Sequence, residues 1–157
     1  MSGYHLAQVN VAVAKHPLDD PRMAGFTLML DSVNAIADRA PGFVWRLVGE
    51  GDSDATAVRT PLGPDVMINL SVWESVEALR DFVYRSPHLD QLRQRAQFFE
   101  LPKEPFQALW WVPAGHVPTV AEAIERLRML RRDGPTPLAF TFRRLFPTAD
   151  DLLTAAG

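Results

Sequence analysis

Asn69, Ser71 and Trp73 lie two residues apart in the run Val66 to Trp73, VMINLSVW. Side chains alternate along an extended strand, so these three share one face and Val66, Ile68, Leu70 and Val72 share the other. One face is wholly apolar. The other carries an amide, a hydroxyl and an indole N–H beside a large ring. Such a face can wall a pocket and donate hydrogen bonds to a ligand atom that gains negative charge. It can equally cap a sheet edge or face water. Two histidines could add acid–base chemistry. His88 follows Ser86-Pro87 at the start of a helical segment, where the helix dipole disfavours the charged imidazole. His116 stands in the turn Pro113-Ala114-Gly115-His116, from which it could reach over a pocket rim. A neutral imidazole there serves as a base or a haem ligand, and a structural hydrogen bond is the alternative for each.

Composition narrows the chemistry. The chain has 157 residues, a net charge of −3 and no cysteine. That length suits a single domain over 1–157 with a sizeable core. The charge argues against a nucleic-acid partner, which calls for a basic stripe. Without cysteine there are no disulfides, thiolate metal sites or cysteine nucleophile. The start, Met1-Ser2-Gly3-Tyr4-His5, lacks a basic segment followed by an apolar run, and no apolar run approaches a membrane span. A cytoplasmic protein with no membrane partner is the expectation. Asp19-Asp20 could be read as a metal carboxylate pair, but helix capping accounts for Asp20, so no metal site is assigned. No phosphate-binding, zinc-binding or nucleophile-elbow motif occurs.

The elements that must position these residues follow from periodicity. His5 to Ala14 alternates, with Ala7, Val9, Val11 and Val13 on one face and Gln8 and Asn10 on the other, which predicts a first strand. Asp20-Pro21 opens a helix carrying Met23, Phe26, Leu30, Val33 and Ala37 at helical spacing, and Pro41-Gly42 stops it. Residues 43–48 form a second strand with Phe43, Trp45 and Leu47 on one face, and 49–64 read as a loop. The strand over 66–73 runs into a helix capped by Ser75, with Val76, Leu79, Phe82 and Val83 inward. Leu89, Leu92, Ala96 and Phe99 continue an apolar stripe after Pro87. Residues 106–112, FQALWWV, form a fourth strand. Thr119-Val120-Ala121-Glu122 is a capping box opening a helix with Val120, Ile124, Leu127 and Leu130 inward, and Asp133-Gly134-Pro135 closes it. Arg126, Arg128, Arg131 and Arg132 read as its solvated face. Residues 138–142 add a short fifth strand.

The order β-α-β-β-α-β plus an extension is the split β-α-β, ferredoxin-like arrangement of an α+β protein. Its core spans about 5–113 and its C-terminal helical extension about 114–157. Helices would cover one sheet face. The other, rich in Val and aromatic residues, must be buried, and a second copy of the sheet is the simplest cover. This predicts a homodimer through the helix-free face, with one of Trp110 and Trp111 meeting the helices and the other the partner.

The run N69-L-S-V-W73-E-S-V-E-A-L79, followed by a helix and S86-P-H88, resembles the antibiotic biosynthesis monooxygenase superfamily of dimeric α+β barrels. HLAQVNVA, PLDDPRMAGF, PGFVWRL and LWWVPAGHVPT are similar to an uncharacterised bacterial branch of it. The resemblance covers about residues 5–113. It implies a homodimeric barrel with a small-molecule pocket between sheet and helices. It matches Asn69 and Trp73 to an Asn-x-x-x-Trp pair lining the pocket of cofactor-independent monooxygenases, and Arg93 to a pocket arginine. Tyr4 and Tyr84 match none of the pocket tyrosines. Asn10 resembles an asparagine that haem-degrading relatives place near the haem.

Three functions follow from these residues. The first is oxidation of an aromatic or polyketide-like substrate without cofactor, with Asn69, Trp73 and Arg93 as donors and His88 or His116 as base. The second is haem binding, with His88 or His116 as axial ligand and Asn10 nearby. The third is a non-enzymatic dimer that holds a small ligand.

Overall fold

The computed structural model describes residues 3–17, 20–48, 61–63, 65–85 and 97–148. Strand β1 (Tyr4–Val13) leads to a 3-10 turn (Pro21–Met23) and helix α1 (Ala24–Arg39). Strands β2 (Phe43–Arg46) and β3 (Val66–Trp73), helix α2 (Val76–Arg85), strand β4 (Gln107–Pro113) and helix α3 (Val120–Asp133) follow. The strands form one antiparallel sheet in the order β2-β3-β1-β4. That order, with each helix joining strands separated by a third, is the ferredoxin-like α+β topology read from the sequence.

The helix boundaries follow local chemistry. Asp20 caps the 3-10 turn by accepting from the Arg22 N–H at 2.8 Å, with Pro21 next, where a missing N–H costs nothing. The Arg22 guanidinium beside Asp20 holds that carboxyl well below the usual carboxylate range. Thr119 caps α3 through the Glu122 N–H, and Gly134, at φ +73°, closes it with an N–H to the Leu130 carbonyl. The turn from α1 to β2 needs Gly42. Its φ is +82°, and a Cβ there would lie 2.5 Å from the Cβ of Ala78 in α2.

Parity assigns the sheet faces. Leu6, Gln8, Asn10 and Ala12 of β1 stand with Met67, Asn69, Ser71 and Trp73 of β3 and with Gln107, Leu109 and Trp111 of β4. Helices α1 and α2 lie over this face. Ala7, Val9, Val11, Ile68, Leu70, Val72, Ala108, Trp110 and Val112 occupy the other face, and all are buried.

That second face is where the structure departs from the expected open sheet. Ala123, Leu127 and Leu130 of α3 pack onto it, and Trp45, Leu47 and Leu62 extend the cover. The chain therefore fills the face from which a homodimer was expected, and the motive for that interface is gone. Trp110 meets α3, not a partner subunit. Trp111 donates its indole N–H to the Phe146 carbonyl at 2.8 Å on the α1/α2 side.

The segment after α3 crosses the β4 edge. Leu109 and Phe140 exchange two backbone hydrogen bonds of 2.8 Å. This single bridge stands where a fifth strand over 138–142 was expected, because turns close immediately on either side of it at Thr136–Ala139 and Thr141–Arg144. Phe140, Phe142 and Phe146 then join Leu6, Trp73, Leu79 and Trp111 in a cluster on the α1/α2 side. Two arginines of the expected solvated face fasten α3 instead. Arg126 donates to the Leu138 carbonyl and Arg131 to the Pro105 carbonyl, both at 2.8 Å.

Strand β2 gives a second departure. Phe43 pairs with Trp73 and Trp45 with Val72, so the register shifts between them. This bulge undoes the alternation that would put Phe43, Trp45 and Leu47 together. Phe43 faces α1 and α2, whereas Trp45 and Leu47 face α3.

Candidate functional site

The face under α1 and α2 is only partly filled by side chains. Between them lies a cavity of about 310 Å³. Its walls are largely apolar, with Phe26, Leu30 and Val33 from α1 and Leu79, Phe82 and Val83 from α2, and α1 adds one buried amide, Asn34. Its floor is polar and comes from three strands. The register places Gln107, Asn10 and Asn69 in one row across β4, β1 and β3, with Gln8 opposite Ser71 in the next. Alternation alone puts all five on the cavity side.

One side chain ties this floor together. Gln8, 3% exposed, donates from Nε2 to Asn69 Oδ1 at 2.7 Å and to Ser71 Oγ at 2.8 Å. Its Oε1 accepts from Asn10 Nδ2 at 3.2 Å and from Gln107 Nε2 at 3.4 Å. Both N–H groups and both lone pairs of the Gln8 amide are thereby satisfied, as a buried amide requires. Asn69, Asn10 and Gln107 are half-buried and reach the cavity.

The expected site residues divide clearly. Asn69, Asn10 and Trp73 all line the cavity. Trp73, however, donates its indole N–H to Ser71 Oγ at 2.9 Å and is 1% exposed. Its ring stacks on Phe82 at 5.1 Å and meets Phe43 edge-on at 5.4 Å. It supports the floor, and its donor is already taken, which corrects its expected role as a donor to substrate. Trp73→Phe should accordingly lower stability by about 1–3 kcal/mol, through a lost hydrogen bond and a smaller ring, while leaving ligand affinity unchanged. Denaturant unfolding beside a ligand titration checks both halves.

His116 is elsewhere. Its Nε2 lies 2.7 Å from Glu122 Oε1, and the other oxygen of Glu122 accepts from Trp110 Nε1 at 2.9 Å. Trp110 packs under α3, so His116 sits across the sheet from the cavity and cannot serve there as base or haem ligand. The turn leading to it is short, and the capping box fixes Glu122 where the ring meets it. Burial pushes the Glu122 carboxyl up, but hydrogen bonds from His116 and Trp110, with the His116 and Arg126 charges, outweigh this and leave it below its usual value of 4.5. A carboxylate depressed in the folded state contributes stability above its unfolded pKa and loses it as pH falls through the folded one. Glu122→Gln should therefore destabilise the protein at neutral pH, and its deficit should fade in acid. Urea unfolding midpoints of both proteins across that range measure this.

His88 and Arg93 lie outside the described residues. Among the described histidines, His5, His16 and His116, none lines the cavity. Haem therefore finds no axial imidazole among them, and no chemistry through haem is derived. The cavity does have an arginine, Arg46. The β2 bulge pairs it with Ser71 and turns it inward, where Asp38 holds it at 2.8 Å. Tyr84, unmatched in the sequence comparison with pocket tyrosines, lines the cavity from the last turn of α2 and leans on Phe142 at 6.1 Å. Gln8 and Gln107 were legible through strand parity. Arg46 was not, because only the bulge brings it in.

Fold and site together define a ferredoxin-like α+β protein with a cavity between its helices and its sheet. The chain belongs to the family described as a domain of unknown function, DUF3291, whose model matches residues 5–155. No match was found among curated proteins. Similar solved structures include a conserved protein from Methanosarcina mazei, with a TM-score of 0.50 and 12% identity over 71% of this chain and 93% of that one. SnoaB of Streptomyces nogalater, a cofactor-independent oxygenase, aligns with a TM-score of 0.48 and 16% identity over 72% of this chain and 95% of that one. NE2512 of Nitrosomonas europaea, a protein of unknown function, gives 0.48 and 13% over 74% and 97%. These identities speak to the fold. Among the described residues no helix is long and apolar enough to cross a membrane.

Proposed function

We propose that the protein binds a small aromatic or polyketide-like molecule bearing a hydroxyl or carbonyl group, and oxidises it without a cofactor. The observation that carries this reading is the row of amides beneath aromatic walls. Flat apolar surfaces favour a ring system, and half-buried amides favour its oxygen atoms. The ionised substrate supplies the electrons. Dioxygen accepts them: one oxygen atom replaces the hydrogen of a ring carbon as a carbonyl, the phenol oxygen becomes a second carbonyl, and the other oxygen atom leaves as water with the hydrogens from that carbon and from the hydroxyl. The protein's part is to orient the ring and hold the anion, with Asn69 as the donor nearest to hand and Arg46 adding a positive field at the edge. The described lining residues include no histidine, aspartate, glutamate or lysine to act as a base. Oxidation should therefore favour phenols acidic enough to ionise unaided, with a rate that rises through the phenol's own pKa.

The same lack of a base favours a second reading, ligand binding without turnover. Tryptophan fluorescence titration and oxygen uptake with hydroxylated polycyclic compounds, chelator present, separate the two. Quenching with uptake supports the oxygenase. Quenching without uptake leaves a binding protein, and no quenching by any compound removes both readings.

A further inference from the structure

We infer that Gln8 is the positioning residue of this site, and that it sorts the floor into a donor side and an acceptor side. The inference rests on the cavity being a ligand site, as proposed above. Its geometry stands on the four hydrogen bonds of one buried amide. An amide that donates from nitrogen toward β3 obliges Asn69 to turn its oxygen to Gln8. The Asn69 NH₂ group is then left for the cavity. The same amide accepts on its oxygen from Asn10 and Gln107, which must turn their nitrogens to it. Their carbonyl oxygens are left for the cavity. No hydrogen bond from another protein group competes for Asn69 Nδ2 or Asn10 Oδ1 among the described residues. The floor thus offers a donor over β3 and acceptors over β1 and β4, across neighbouring strands. It suits a ligand that presents an acceptor oxygen on one side and a hydroxyl on the other. Asn69 and Asn10 carry identical groups and are direct cross-strand partners. Only their opposite attachment to Gln8 distinguishes them.

The test uses the full chain with 15N-labelled side-chain amides. In wild type, NOEs from the Gln8 NH₂ protons should reach Ser71 and Asn69 and not Asn10 or Gln107. Gln8→Glu replaces the amide by an isosteric acceptor. The four surrounding groups can all donate to it, which keeps the carboxylate ionised and the site folded. In this variant the Asn69 NH₂ should turn to residue 8 and present its oxygen to the cavity, while Asn10 stays as it was. Gln8→Leu removes the sorting altogether. Naphthol, its methyl ether and naphthalene are the binding probes. Wild type should prefer naphthol over the ether by about fivefold to tenfold, the usual worth of one hydrogen bond, and Gln8→Leu should lose that preference while still binding naphthalene. Reversed NOEs in wild type, or an Asn69 amide unmoved in Gln8→Glu, would overturn the assignment. So would a naphthol preference retained in Gln8→Leu. If wild type binds none of the probes, the ligand-site reading fails, and the NOE pattern still decides what Gln8 does.

Discussion

Asn69→Ala is expected to lower oxidation of a phenolic substrate by about 10²–10³-fold, the usual loss when one donor to a developing anion is removed from a dry site. The expectation rests on position. Asn69 is held by Gln8 through its oxygen, so its NH₂ is the donor that the floor offers on the β3 side. Substrate binding should fall far less than turnover, because the hydrogen bond strengthens only as charge develops. Stability should fall by about 1–3 kcal/mol, since the buried Gln8 N–H loses its acceptor, and the protein should stay folded. Oxygen uptake, substrate titration and thermal unfolding on the same preparation separate these effects. A variant as fast as wild type would remove Asn69 from the mechanism. Equal losses in affinity and in kcat/KM would make it a binding group only.

Leu127→Ala should cost about 2–5 kcal/mol of folding stability, the range for a fully buried leucine. Leu127 is 1% exposed and lies in α3 against the sheet. Because native domains are stable by only about 5–15 kcal/mol, this is a large fraction of the total. Had the sheet face been closed by a partner subunit, α3 would be peripheral and Leu127 nearly neutral. Leu138→Ala is the control, at a residue 56% exposed, and should change stability by less than about 0.5 kcal/mol. Denaturant unfolding of the two variants reads the difference directly. A Leu127→Ala protein as stable as wild type would show that α3 does not close the core.

What the sequence could tell differs from element to element. Strict alternation in β1 and β3 put Asn10, Asn69 and Trp73 on one face, and the structure places them there. Two sheet strands leave little freedom once one face is apolar. Position did not reveal use. Trp73 reads equally well as a donor to a ligand or to Ser71, and only the distance separates the two. In β2, FVWR holds no glycine or proline to announce a bulge, so the inward turn of Arg46 left no mark. The stripe Val120, Ile124, Leu127 and Leu130 identified an amphipathic helix, but a stripe does not name the surface it will cover. Assigning it to a peripheral extension left the sheet face open and invited a partner to fill it. His116 misled for a related reason, since a turn residue goes where its neighbours send it.

The return of the chain after α3 also bears on how the molecule comes into being during synthesis. The central strand β1 is made well before its partners Val66–Trp73 and Gln107–Pro113, and its second face is closed only by α3, later still. The clamp at Phe140 follows all of these elements in the chain. Contacts so distant in sequence make for slow folding, because loop entropy is lost before burial compensates it. Until α3 is made, the nascent chain therefore carries an apolar sheet face with nothing over it. A sheet whose cover follows it in the chain leaves Val9, Leu70 and Trp110 exposed to wrong apolar contacts until α3 arrives.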